Sequence, residues 1–147
     1  MDHRAAMRGS TLLELLIAVA IIATLLVIAA PRFSAWGDRL AAERAARDLA
    51  LFYHQARTAA LFRGSRVRLE FDQRTLRAVF EGVTDSMFLE RPGPARRGVT
   101  LSASRAVIRI YSNGLGLGAA NTKLVVRRGQ AAESLTTSRL GRLKRWN

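Results

Sequence analysis

Residues 9 to 31 read Gly9-Ser10-Thr11-Leu12-Leu13-Glu14, then LLIAVAIIATLLVIAA from Leu15 to Ala30, and then Pro31. The apolar run carries one hydroxyl, Thr24, and from Leu12 to Ala30 the segment is 19 residues long with one charge, Glu14. A helix that crosses a bilayer needs roughly 17 to 25 such residues. Glu14 is the feature that an ordinary membrane span does not need. A carboxylate at the start of an apolar helix costs on the order of 2.5 to 3.5 kcal/mol on insertion scales, so it marks function and calls for a partner.

Three readings of this segment compete. Arg4 and Arg8 supply a basic start and Val27-Ile28-Ala29 a stretch of small and apolar residues, as in a secretory signal peptide. A plain N-terminal anchor is the second. The third accounts for Glu14: a cut after Gly9 would give Ser10 a free ammonium group, and the carboxylate of Glu14 would pair with the ammonium of a neighbouring subunit in apolar surroundings. A carboxylate in the first turn also complements the helix macrodipole.

Gly9-Ser10-Thr11-Leu12-Leu13-Glu14-Leu15 with the apolar run behind it resembles the class III signal of type IV prepilins and type II secretion pseudopilins. The resemblance implies that a prepilin peptidase on the cytoplasmic side cuts after Gly9 and methylates the amine of Ser10. Glu14 becomes the fifth residue after the cut and acts in subunit assembly. Pro31 falls at the twenty-second, where the family often has a proline. Ser10 departs from the usual phenylalanine. The flanking charge is no guide to orientation, because Arg4 and Arg8 precede the span while Arg32, Arg39, Arg44 and Arg47 follow it.

Beyond Pro31 and Phe33 the helical period resumes, with Ala45, Leu49, Phe52, Ala56 and Ala59 on one stripe. Pro31 removes a backbone hydrogen bond and crowds the preceding turn, and Gly37 weakens it again, so a helix break, as a bend or melted turn, is expected over residues 31 to 37. From Arg66 the period becomes alternating: Arg66 to Phe71 and Thr75 to Glu81 read as a hairpin. Residues 82 to 98 read as a loop stiffened at Arg91-Pro92-Gly93-Pro94. Shorter strands follow at Val99 to Ser102, Ala106 to Tyr111, Lys123 to Arg128 and Ser134 to Ser138. Asn113-Gly114 and the region from Gly116 to Gly118 are turns, and no phosphate-binding lysine accompanies these glycines.

The fold class expected is α+β, a long N-terminal helix packed by its second half on a small antiparallel sheet domain. The expected division is a leader at 1 to 9, a helix at 10 to 63 with its membrane part at about 12 to 30, and a β-domain with a basic tail at 64 to 147. The helix, the groups of short strands and the late glycine turn resemble the H-type minor pseudopilins, the GspH/FimT family. Membership implies a single-pass inner-membrane protein with a periplasmic domain, partnered by prepilin peptidase and by other pseudopilins or pilins.

Charge and composition narrow the chemistry. Of the 147 residues none is cysteine, and the only histidines are His3 and His54. His54, in a helical stretch, reads as an ordinary helix residue. No paired carboxylates, activated nucleophile or metal-ligand cluster stands out, so an enzyme, a cofactor and a metal are not expected. The net charge of +13 is lopsided: residues 1 to 90 hold 12 basic and 10 acidic side chains, whereas 91 to 147 hold 12 basic and one acidic, Glu133. Such a patch attracts polyanions or acidic partners.

The chain ends Ser138-Arg139-Leu140-Gly141-Arg142-Leu143-Lys144-Arg145-Trp146-Asn147. Gly141-Arg142-Leu143-Lys144 resembles the Gly-Arg-x-Arg tail of family members that bind DNA in natural transformation. That implies phosphate contacts from Arg139, Arg142, Lys144 and Arg145 and stacking by Trp146. The plainer reading is a final strand with a solvated basic end. Two functions follow: a minor pseudopilin of a type II secretion system, or a type IV pilus minor pilin that captures DNA.

Overall fold

The computed structural model of the protein describes residues 11–116 and 121–146. Helix α1 spans Leu12–Arg63, followed by strands β1 (Arg66–Phe71), β2 (Thr75–Glu81), β3 (Ser86–Pro92), β4 (Thr100–Ala103), β5 (Val107–Ile110), β6 (Thr122–Arg128), β7 (Ala131–Thr137) and β8 (Leu143–Trp146). The chain divides into two units, one through Ser34 and one from Ala35 onward, and α1 contributes to both.

Pro31 does not break the helix. The element runs through it and through Gly37 without interruption, so the expected melted turn is absent. A proline costs a helix one hydrogen bond, and the uninterrupted helix formers on both sides, Leu25 to Ala30 and Arg39 to Ala46, hold the residues around it helical. The Ser34 hydroxyl donates to the Pro31 carbonyl at 2.9 Å within that stretch.

In the second unit the helix buries one stripe, Ala42, Ala45, Ala46, Leu49, Phe52, Tyr53, Ala56 and Ala60. Ala45, Leu49, Phe52 and Ala56 are there as the periodicity requires, and Ala59 is partly buried beside them. Five of the eight are alanines, which let a sheet approach the helix backbone closely, and Phe52 and Tyr53 fill the space between. Phe52 meets Phe71 of β1 edge to face at 5.8 Å, a geometry that aligns a ring edge with a ring face. Burial raises the Tyr53 phenol above its ordinary pKa, with the nearby Arg57 opposing.

Two antiparallel four-stranded sheets share this core, in the orders β3-β2-β1-β5 and β4-β6-β7-β8. The hairpin β1–β2 has the expected bounds, and Val67, Leu69 and Phe71 lie on its buried face. The loop expected over 82 to 98 instead contains β3 and a 3-10 turn at Pro94–Arg97. β3 is an exposed edge strand with a register shift opposite Ala78/Val79, so its sequence has no clean alternation to read. Phe88 of β3 stacks on Phe80 at 4.0 Å.

The sheets are joined by a side chain. Gln73, in the β1–β2 turn, donates through Nε2 to the Leu101 carbonyl at 2.6 Å and accepts from the Leu101 N–H at 3.0 Å. Its amide thus takes the place of a neighbouring strand along the open edge of β4. Gly93 closes on the same turn, donating to the Arg74 carbonyl at 2.7 Å, where a side chain at position 93 would collide with the Gln73 backbone. Replacing Gln73 with alanine removes two hydrogen bonds and should cost about 1 to 3 kcal/mol. A lower urea midpoint with an unchanged slope, in the detergent-solubilised chain, would show it; an unchanged midpoint would refute the role.

Candidate assembly helix and basic C-terminal strand

Thr11 caps α1. Its hydroxyl accepts from the Glu14 N–H at 3.2 Å, and its carbonyl accepts from the Leu15 N–H at 3.1 Å. Thr11-Leu12-Leu13-Glu14 has the spacing of a capping box, with a hydroxyl at the cap and a carboxylate three residues on. This signal was available in the sequence and places the glutamate's backbone in the first helical turn, next to the positive end of the helix dipole. Gly9 and Ser10, the expected cleavage site, lie outside the described residues.

From Leu12 to Ile28 the helix is apolar on every side, and each large apolar side chain is more than half exposed. Among the described residues, one helix is long and apolar enough to cross a membrane. The single hydroxyl in the run is accounted for: Thr24 donates to the Ala20 carbonyl at 2.8 Å, so it brings no unpaired donor into an apolar medium. A helix apolar all round buries itself in lipid or among other helices. Within its own unit this one has no such cover.

The four tail cations do not form one patch. β8 pairs with β7 in the register Ser134↔Trp146, Leu135↔Arg145, Thr136↔Lys144 and Thr137↔Leu143. Alternation along β8 sends Leu143 and Arg145 toward the core side and Lys144 and Trp146 outward. Arg145 lies 3.4 Å from Glu43 of α1 and 3.3 Å from Glu133 of β7. Glu133 is 8% exposed and its Oε2 has no aligned hydrogen-bond donor, so the second contact is one of charge rather than a directed bond. Lys144 places its ammonium 3.6 Å from the centre of the Trp146 ring. That cation–π contact covers one face of the indole.

Arg139 and Arg142 remain exposed, and among the described residues neither forms an ion pair. They flank Gly141, in the left-handed conformation at φ 69°. A side chain at 141 would run into the Gly114 carbonyl, which accepts from Arg57 Nε at 3.0 Å. Gly114 is also left-handed, at φ 77°. Gly141 is therefore required by the packing of two turns onto α1. Gly118, the last of the expected turn glycines, lies outside the described residues.

Two substitutions separate these roles. Arg145→Gln leaves Glu133 buried with no countercharge and should destabilise the fold by about 1 to 3 kcal/mol, whereas Lys144→Gln should leave it within about 0.5 kcal/mol. Equal thermal midpoints for the two variants would contradict the assignment. The Glu43 carboxyl is held below its ordinary range first by the hydrogen bond and charge of Arg47, then by Arg145, against partial desolvation. A depressed carboxyl stabilises the fold above its unfolded pKa, and that stabilisation fades as pH falls through the folded value. Acid titration of Glu43→Gln should accordingly show a shallower loss of stability below about pH 4.5 than the parent.

Residues 4–30 match the model of the prokaryotic N-terminal methylation motif, and residues 45–141 match that of the type II transport protein GspH. No curated protein sequence matches the chain. Two crystal forms of the type IV minor pilin FimU from Pseudomonas aeruginosa are similar in fold. The form in space group P21 has a TM-score of 0.63 at 14% identity, covering 72% of this chain and 88% of the pilin. The form in P65 has a TM-score of 0.61 at 13% identity, covering 71% and 92%.

Proposed function

Because the chain belongs to the GspH family of type II transport proteins, we propose that it is a minor pseudopilin of a type II secretion system, a structural subunit of a short periplasmic filament. Its family and fold are those of structural pilins. The observation that carries the assembly reading is the helix from Leu12 to Ile28, apolar on all sides, with one carboxylate in its first turn. Before assembly lipid covers the apolar surface, and the segment anchors the chain in the inner membrane with residues from Ala35 onward in the periplasm. In the filament the helices of other subunits replace the lipid.

The chemistry of Glu14 fits this exchange. A lone carboxylate at the edge of hydrocarbon is costly, and a cationic partner relieves that cost. Cleavage after Gly9 creates such a partner at Ser10 of each subunit, and prepilin peptidase would supply the cut and the methyl group. Methylation keeps the positive charge. The pairing is intermolecular, so it favours entry of each subunit beside one already present.

Intact-mass measurement of the membrane-extracted chain should therefore give a polypeptide that begins at Ser10 and carries one added methyl group. A chain retaining residues 1 to 9 would remove the basis for the Glu14 partner. Glu14→Ala should leave cleavage unchanged, because the Thr11 cap binds the backbone N–H of residue 14 and not its side chain. The same variant should no longer copurify with the other pseudopilins. Normal copurification would sink the proposed role.

DNA capture by a type IV pilus minor pilin is the second reading of the tail. It is supported by Arg139 and Arg142, which are exposed and form no ion pair among the described residues, together with Lys144. Arg145, bound between Glu43 and Glu133, does not contribute to it without breaking those contacts. Three cations give weaker and less salt-dependent binding than four.

A further inference from the structure

The two sheets present their charge differently. On the first sheet, Arg68 meets Glu70 at 3.0 Å, Glu81 at 3.5 Å and Asp85 at 2.8 Å; Arg109 meets Glu81 at 2.7 Å, and Arg77 meets Glu90 at 3.8 Å. Three of the five cations on its strands are thus answered locally, while Arg66 and Arg91 form no ion pair among the described residues. On the second sheet, the registers align Lys123, Thr136 and Lys144 in one cross-strand row and place Arg127 opposite Thr100 and Ala132. Lys123, Arg127 and Lys144 are exposed, and no outward position of β4, β6, β7 or β8 is acidic. Glu133, the one acidic side chain after residue 90, faces inward against Arg145.

The two lysines stand two strands apart, about 9 to 10 Å, and Arg127 lies roughly 13 Å along β6 from Lys123. The surface between them is neutral, with Ser102, Ser134 and Thr136 among its residues. A sparse cationic face of this kind suits carboxylates spaced on a folded protein. Nucleic acid suits it less: Lys144 covers one face of the Trp146 ring, which leaves a single indole face for stacking, and three cations are fewer than the 6 to 10 phosphate contacts of a strong electrostatic binder. A second copy would bring the same positive surplus and repel.

We propose that the outward face of the second sheet, through Lys123, Arg127 and Lys144, docks an acidic face of a different pilin-like subunit in the same filament. The proposal rests on the assembly reading above. Complementary charge of this type sets which neighbour is accepted and in what orientation more than it sets raw affinity. The helix supplies general cohesion in the apolar core, and this face supplies the choice of partner.

The test places a photo-crosslinking residue at Thr136, between the two lysines, in the full-length chain in its native membrane. Irradiation should give an adduct that mass spectrometry identifies as another pilin-like subunit with an acidic surface. Its yield should fall at least about tenfold in the triple variant Lys123→Glu, Arg127→Glu, Lys144→Glu, since like charges brought together cost several kcal/mol. The glutamine version of the triple should fall less, because it removes the attraction without adding repulsion. If the chain copurifies with pilin-like subunits but position 136 gives no adduct with them, the docking face is wrong and the assembly reading survives. If the parent chain copurifies with none, both fail. A nuclease-sensitive adduct, or one to a second copy, would also overturn the proposal.

Discussion

Everything else in this protein depends on α1 being asked to live in two environments. Its first part offers apolar side chains in all directions, a pattern that is stable only where water is excluded on every side. Its second part is amphipathic and offers one stripe, chiefly alanine, to a pair of sheets. Burying Leu49, Phe52 and Tyr53 supplies roughly 1.5 to 3 kcal/mol each, and the alanines allow the sheets to approach closely enough for that burial to be complete. The same element is thus the core of the β-domain and the anchor of the chain. A change in the stripe damages folding, and a change in the first part damages where the fold is delivered.

With a helix as the common floor, the two sheets still need a join, because each is only four strands wide and each has open edges. Gln73 provides it at one edge by imitating a peptide group opposite Leu101. On the far edge, β8 is held from below by Arg145, whose guanidinium reaches from the last strand to Glu43 on the helix and Glu133 on its neighbour. One join is neutral and the other ionic. The ionic one responds to acid through Glu43, whose carboxyl Arg47 and Arg145 hold below its ordinary range.

These features were unequally legible in the sequence. The first part of the helix follows from the length of its apolar run, and the core stripe and the β1–β2 hairpin follow from periodicity, because each buries one face over several repeats. β3 was not legible: it is an exposed, bulged edge strand, and a strand with water on one side and an interrupted register leaves no alternation behind. The continuity of α1 through Pro31 was not legible for a different reason. Proline's local cost is real, but the helix on either side is long enough to carry it. The Thr11 cap was legible in plain spacing, a hydroxyl residue at the helix start with Glu14 three residues on.

The tail shows why a count of cations misleads. Arg142, Lys144, Arg145 and Trp146 read as one basic aromatic cluster when written in a line. A strand separates neighbours onto opposite faces, so Arg145 is turned inward to two carboxylates while Lys144 is turned outward onto an indole. Gly141, the first residue of the Gly-Arg-x-Arg-like stretch, sits where a Cβ would strike the Gly114 carbonyl. Part of the resemblance to a DNA-binding tail is therefore explained by packing. Besides Arg139 and Arg142, the unanswered charge is spread across the outward face of a sheet, at Lys123, Arg127 and Lys144, four to twenty-one positions apart in the chain. No window of sequence contains that face, because it exists only once β6, β7 and β8 are in register.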